Sequence, residues 1–241
     1  MKIIAHRGAS FDAPENTLEA VKLAWLQNTD AVEIDIQLTR DGRIVAFHDD
    51  DLLRMTGFAG TIYGTSYPDL QKLKVTAKGQ AYSIPLLENI LETIPAEKFL
   101  VIEIKCGLEI IQPLKQIVSE AGLTASNLQF ISLDENVMNE IFMQFPGFET
   151  QRVFEFDQEP PHPKQLLQYA KNTPLTGIDL EAGKYIVKEF VRAIHDFGKK
   201  IYVWTVNDPD EAQRFKRIGI DGITTDKPGW LKQNLGGSNE S

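Results

Sequence analysis

"KIIAHRGASFDAPENTLEAVKLAWLQNTDAVEIDI" (residues 2–36) holds a short apolar run, then a stretch with apolar residues at helical spacing, then a second apolar run. Strand, helix and strand in that order form the repeating unit of a parallel sheet. The unit recurs along the chain, with strands read near residues 2–5, 31–36, 99–104, 128–132, 150–154, 176–180, 200–204 and 221–225. Amphipathic stretches separate them, several ending in Gly or Asn as helices do. Eight strands with interleaved helices predict an α/β fold, a (β/α)8 TIM barrel. A doubly wound sheet is the alternative reading.

One segment breaks the alternation. Between "RIVAFHDDDLLRMTG" and "QAYSIPLLENILETI", roughly residues 43–83, an extra strand and irregular sequence separate the second and third barrel strands. A structureless loop of that length is rare inside a packed domain. It is expected to fold as a small lobe, inserted at about 49–83, over one end of the barrel. Residues 1–235 then form a single domain, "DQEPPHP" (157–163) a Pro-stiffened loop, and "GGSNES" (236–241) a disordered tail.

The 241 residues are 42% hydrophobic, enough for one large core. The net charge is −9 and no Lys/Arg run stands out, which argues against a nucleic-acid partner, since phosphate backbones need a clustered basic surface. No stretch approaches the ~18 apolar residues of a membrane span. The first strand starts at Lys2, leaving no room for a signal sequence, so a cytoplasmic protein without membrane insertion is expected. Cys106 is the only cysteine, so neither an intrachain disulfide nor a thiolate metal cage is possible.

Side chains two apart in a strand share a face. In "AVEIDI" (31–36), Val32, Ile34 and Ile36 must face the helices, which turns Glu33 and Asp35 into the barrel. In "FLVIEIK" (99–105), the same reasoning turns Glu103 and Lys105 inward. Three acids thus converge on one end, and Lys105 alone cannot balance them. A divalent metal can, and all-oxygen ligands favour Mg²⁺ or Ca²⁺. A salt-bridge network around Lys105 and Arg7 without metal is the competing reading.

His6 ends the first strand and His48 follows "RIVAF", so both stand where a strand gives way to a loop. Two imidazoles beside a metal can serve as general acid and general base on a phosphoryl substrate. His162, in the Pro-rich loop, and His195, within a predicted helix, lack such company and are read as structural. Arg7 and Lys105 can grip a phosphate or act only as counter-ions. Trp204 ends its strand either as an apolar wall at the barrel mouth or as core packing.

Taken in order, "AHRGASFDAPENT", "VEIDIQLTRDGRIVAFHD", "IEIK", "VWTVND" and "GIDGITTDKP" closely resemble the glycerophosphodiester phosphodiesterases over essentially the whole chain. The resemblance implies a barrel with a lobe inserted after the second strand. It also implies metal-dependent hydrolysis of small-molecule glycerophosphodiesters to sn-glycerol 3-phosphate and an alcohol. By the same similarity His6 and His48 take the acid/base roles, and Glu33, Asp35 and Glu103 bind the metal. Arg7 and Lys105 hold the phosphate, Trp204 lines the glycerol pocket, and Gly8 lets the chain turn tightly past the site. Two alternatives remain open at this point: a sphingomyelinase D or lysophospholipase D-type phosphodiesterase, and a non-catalytic phosphodiester-binding barrel.

Overall fold

Period-two alternation governs the strands of the computed structural model, which describes residues 1–77, 79–156 and 162–236. The chain runs β1 (Lys2–Ala5), α1 (Leu18–Leu26), β2 (Ala31–Leu38), β3 (Ile44–Ala46), α2 (Leu53–Thr56), α3 (Tyr67–Leu70), β4 (Val75–Ala77) and β5 (Gln80–Tyr82). It continues with α4 (Leu87–Leu91), β6 (Phe99–Ile104), α5 (Ile111–Glu120), β7 (Leu128–Ser132), α6 (Glu135–Gln144), β8 (Glu149–Phe154) and α7 (Pro163–Asn172). The last elements are β9 (Gly177–Glu181), α8 (Lys188–Asp196), β10 (Lys200–Trp204), α9 (Pro209–Ile218), β11 (Gly222–Thr225) and α10 (Pro228–Gly236).

Strands β1, β2 and β6 to β11 pair in parallel, each with the next, and β11 pairs back onto β1. That last pairing closes the sheet. The fold is therefore a (β/α)8 barrel, and an open doubly wound sheet is excluded. Val32, Ile34 and Ile36 are fully buried on the helix side of β2, and Ile102 and Ile104 on that of β6. Each such side chain contributes roughly 1.5–3 kcal/mol relative to exposure. The barrel interior holds a smaller apolar set, including Ile4, Val101, Ile131, Val153 and Tyr202.

Capping residues start several helices where the sequence offers them. Thr17 accepts from the Ala20 amide at α1, and Asp134 from Asn136 and Val137 at α6. At α9, Asp208 caps the N-terminus, Pro209 occupies the first turn, and Gly219 ends the helix with φ near +92°.

The interruption after β2 begins with β3, which folds back antiparallel on β2 and pairs Ile36 with Ala46. Beyond it α2, α3 and the β4–β5 hairpin enclose a separate apolar cluster that includes Phe47, Leu52, Ile62, Leu70 and Ile84. This lobe is anchored at the same barrel end that receives the strand C-termini. Helix α10 runs to Gly236, and residues 237–241 of the expected tail lie outside the described residues. So do residues 157–161 of the expected Pro-stiffened loop.

Candidate active site

Parallel register assembles the acids. Pairing β2 with β6 sets Asp35 directly opposite Glu103, and Glu33 lies one inward position earlier on β2. Carboxylate oxygens of Glu33, Asp35 and Glu103 come within 4.8 Å of one another. Glu33 is 2% exposed and Asp35 is 0% exposed, so water screens neither. Burial, followed by repulsion from Asp35 and Glu103, pushes the Glu33 carboxyl well above the usual range, against the pull of Arg7. Burial and Asp35 raise Glu103 as well, with Lys105 opposing.

Two cations touch this cluster. Lys105 Nζ lies 3.1 Å from Glu103 Oε1 and 4.0 Å from Asp35 Oδ1. Arg7 Nε pairs with Asp35 Oδ2 at 3.2 Å without hydrogen-bond alignment, and the Arg7 amide donates to Glu33 Oε2 at 2.8 Å. Burial works against the charges of Arg7 and Lys105, but the surrounding carboxylates outweigh it and raise both. Part of the competing salt-bridge reading is thus present. Yet Glu33 Oε1 and Asp35 Oδ1 are buried without hydrogen-bond partners, and Arg7 is shared with Glu15. Unpartnered, converging hard oxygens with surplus negative charge fit a divalent cation. Glu15, His48 and Asp49 also come within 4.8 Å of one another, but Arg54 and Arg7 already neutralise those carboxylates.

Barrel closure positions His6. Ala5 pairs with Thr225, the His6 amide donates to the Thr225 carbonyl at 2.9 Å, and His6 Nδ1 then lies 2.7 Å from Asp226 Oδ1. Asp226 also accepts from Asn207 Nδ2 at 2.7 Å and Ser10 Oγ at 3.2 Å. Burial would raise its pKa, but the His6 and Asn207 hydrogen bonds prevail and hold it at about 2. After His6 the backbone enters the left-handed region, with φ near +55° at Arg7 and +85° at Gly8. A Cβ on Gly8 would fall 2.6 Å from the Ala20 carbonyl carbon, so only glycine fits this turn.

The fold-back of β3 positions His48. Phe47 donates to the Asp35 carbonyl at 3.0 Å, and Gln37 Nε2 reaches the carbonyls of Phe47, His48 and Asp49 at 3.1, 3.1 and 2.7 Å. His48 Nδ1 lies 2.7 Å from Asp49 Oδ1. Arg54, from α2, grips Asp49 with Nε at 2.5 Å and Nη2 at 2.9 Å. Its other side meets Glu15 at 2.6 and 3.1 Å. The Arg54 hydrogen bond is the main reason the Asp49 pKa sits at about 2.

His6, Arg7, Glu33, His48, Glu103, Lys105 and Trp204 line one cavity of about 150 Å³, and buried Asp35 joins it through Arg7 and Lys105. All the residues singled out in the sequence as a candidate site therefore meet at the C-terminal end of the barrel. His162 and His195 stand elsewhere: His162 caps α7, and His195 Nε2 lies 2.9 Å from Asp221 Oδ2. Sequence reasoning missed Asp226, Asp49, Arg54, Gln37 and Asn16. Asn16 embraces Asp35, its amide donating to Oδ2 at 2.8 Å and its oxygen accepting from the Asp35 backbone at 3.1 Å. Asp49 carried a signal, adjacency to His48; Asp226 carried one only once β1 and β11 were known to be neighbours. Among the described residues, no helix is long and apolar enough to cross a membrane.

Known proteins resemble this chain in sequence and in fold. The model of the glycerophosphoryl diester phosphodiesterase family matches residues 6–230. A glycerophosphodiester phosphodiesterase of Caldanaerobacter subterraneus is 30% identical over 240 residues, covering 94% of this chain and 94% of that protein. The structure of an Oleispira antarctica phosphodiesterase in complex with the product sn-glycerol-3-phosphate superposes with a TM-score of 0.86 at 29% identity, covering 98% of this chain and 97% of that one. A glycerophosphodiester phosphodiesterase from Thermotoga maritima superposes with a TM-score of 0.80 at 26% identity, covering 97% of each chain. A barrel matched along its length, with the motif residues gathered at one mouth, leaves one assignment: this chain belongs to the glycerophosphoryl diester phosphodiesterase family.

Proposed function

We propose that the protein hydrolyses glycerophosphodiesters to sn-glycerol 3-phosphate and an alcohol, using a divalent cation, Mg²⁺ or Ca²⁺, held by Glu33, Asp35 and Glu103. The observation that carries this reading is a pair of histidines, each bonded through Nδ1 to a carboxylate, facing one cavity with three converging acids. Bound there, the cation supplies positive charge to a phosphoryl oxygen.

The chain's own residues do the rest. Asp226 and Asp49, each with a pKa of about 2, are ionised at neutral pH and can only accept. Each therefore fixes the proton of its histidine on Nδ1 and leaves Nε2 for exchange with substrate. One histidine takes the proton of the attacking oxygen and the other protonates the departing alcohol. Arg7 and Lys105 grip the remaining phosphate oxygens, and Trp204 packs against the carbon chain of the glycerol. We also read residues 1–235 as one catalytic unit, with about 49–83 as an insertion that brings Asp49 and Arg54 to the site. We also propose a cytoplasmic location, with which a single thiol is compatible.

Two measurements test the reading. Chelation should abolish turnover and added Mg²⁺ or Ca²⁺ should restore it; full activity in the chelated enzyme contradicts the cation. On a panel of glycerophosphocholine, glycerophosphoethanolamine, bis(p-nitrophenyl) phosphate and sphingomyelin, the two glycerol diesters should be preferred, with kcat/KM values within about two orders of magnitude of each other. A preference for sphingomyelin would move the protein to the sphingomyelinase D-type reading, and no turnover of any diester would leave a binding barrel.

A further inference from the structure

The strand that faces β1 across the barrel mouth leads into a carboxylate that the chain leaves free. Counted around the closed sheet from β1, β8 is the fifth of the eight barrel strands, so its C-terminal end lies across the mouth from His6 and Arg7. Val153 lines the cavity, and Glu155, two residues on, continues the same face just past the end of β8. On β7 the same spacing brings Ile131 and then Leu133 to the cavity. Ile131 and Val153 are buried, whereas Leu133 and Glu155 are exposed, so this rim is an apolar floor edged by one hydrated carboxylate.

Among the described residues, Glu155 makes no hydrogen bond or ion pair. Arg152, the nearest basic side chain along the strand, pairs with Glu135 at 2.7 Å and stacks on Phe154 and Tyr169. The other acids of the cavity are committed elsewhere. Glu33 and Glu103 belong to the cation cluster, and Asp179 is 4% exposed on β9, its carboxyl pushed well above the usual range by burial and by Glu103. The cavity's basic side chains, Arg7 and Lys105, stand at the ends of β1 and β6. Positive charge therefore sits on the β1–β6 side and an unpaired negative charge at the β7–β8 rim. A ligand with an anionic phosphate and a cationic group on a short alkyl linker complements both.

We infer that Glu155 is a specificity-determining residue that pairs with the ammonium of an amino-alcohol head group, whose methylenes lie over Leu133, Ile131 and Val153. This deepens the proposed function and rests on it: Arg7 and Lys105 take the phosphate there and Trp204 the glycerol, which leaves the departing alcohol for the β7–β8 rim. A neutral alcohol leaves Glu155 unpaired, and an anionic one is repelled by it.

The test compares glycerophosphoethanolamine with glycerophosphopropanol, in which a methyl group replaces the ammonium, using the full chain with its cation. The wild-type enzyme should favour the ammonium diester in kcat/KM by up to about fivefold, the upper range of an exposed ion pair. Raising the salt from about 0.05 to about 0.5 M should bring the ratio towards one. Glu155→Gln, which removes only the charge, should abolish the preference, and Glu155→Lys should turn it below one; both alter an exposed side chain, and either variant answers the question if the other does not fold. A wild-type ratio of one or less, a ratio unchanged in Glu155→Gln or in Glu155→Lys, or a ratio indifferent to salt overturns the assignment. Failure of the wild-type enzyme to hydrolyse either diester overturns the proposed function itself, a distinguishable result.

Discussion

His6 and His48 face the same cavity from supports of different construction. His6 is held by Asp226, which is 220 residues away in the chain and is steadied by the neutral donors Asn207 and Ser10. His48 is held by its neighbour Asp49, which is steadied by a guanidinium from the inserted lobe. Closing the barrel is sufficient to orient the first histidine; orienting the second also requires the lobe to be docked. Arg54 is 48% exposed on its side chain and grips Glu15 as well as Asp49. Because Glu15 in turn bonds Arg7, one lobe residue bears on both His48 and Arg7.

The comparison predicts separable losses. Replacing Asp226 or Asp49 by Ala frees one imidazole and should lower kcat by about 10²-fold in each case, the usual cost of a misplaced catalytic group. Steady-state kinetics at saturating cation would show it, and near-normal kcat in either variant would remove that carboxylate from the orienting role. A smaller effect, about tenfold in kcat, is expected of Arg54→Gln, equivalent to one charged hydrogen bond of ~1.4 kcal/mol. A double-mutant cycle then divides the two supports. Arg54→Gln should be non-additive with Asp49→Ala, which acts through the same contact, and additive with Asp226→Ala. Additivity in both cycles would mean that the lobe does not act through Asp49.

Acid stability should show the smallest difference. Both carboxylates ionise at about 2 in the folded chain against an ordinary value of 3.8. A depressed pKa contributes stability that is fully present above the ordinary value and lost as the pH falls through the folded one. Stability should therefore decline from about pH 4 towards about pH 2. In Arg54→Gln the Asp49 part should be lost at higher pH, because Arg54 is its main cause, while the Asp226 part stays. Carboxyl titration followed by NMR separates the two, and an unmoved Asp49 would contradict the lobe tether.

What could be read in advance follows the same division. Glu33, Asp35, Glu103 and Lys105 were legible because strand periodicity alone turns them inward, and the β2–β6 register then needs no side-chain detail to bring Asp35 and Glu103 together. Asp226 was hidden because its meeting with His6 depends on which strands become neighbours when the barrel closes. Gln37 and Arg54 were hidden because a polar residue in a strand and an arginine in an irregular insertion have many possible partners, and only the fold-back of β3 selects one. Asp179 is different: the alternation that exposed Glu33 was present in "TGIDL", with Ile178 and Leu180 outward, and would have turned this acid inward too.

The most direct measurement is release of sn-glycerol 3-phosphate from glycerophosphoethanolamine by the wild-type chain, His6→Asn and His48→Asn, with Mg²⁺ or Ca²⁺ affinity determined on the same samples. If both imidazoles exchange protons with the substrate while Glu33, Asp35 and Glu103 hold the cation, each variant should lose at least ~10²-fold in kcat and keep wild-type cation affinity. Near-wild-type kcat in either variant, or cation affinity lost together with the histidine, would contradict that account.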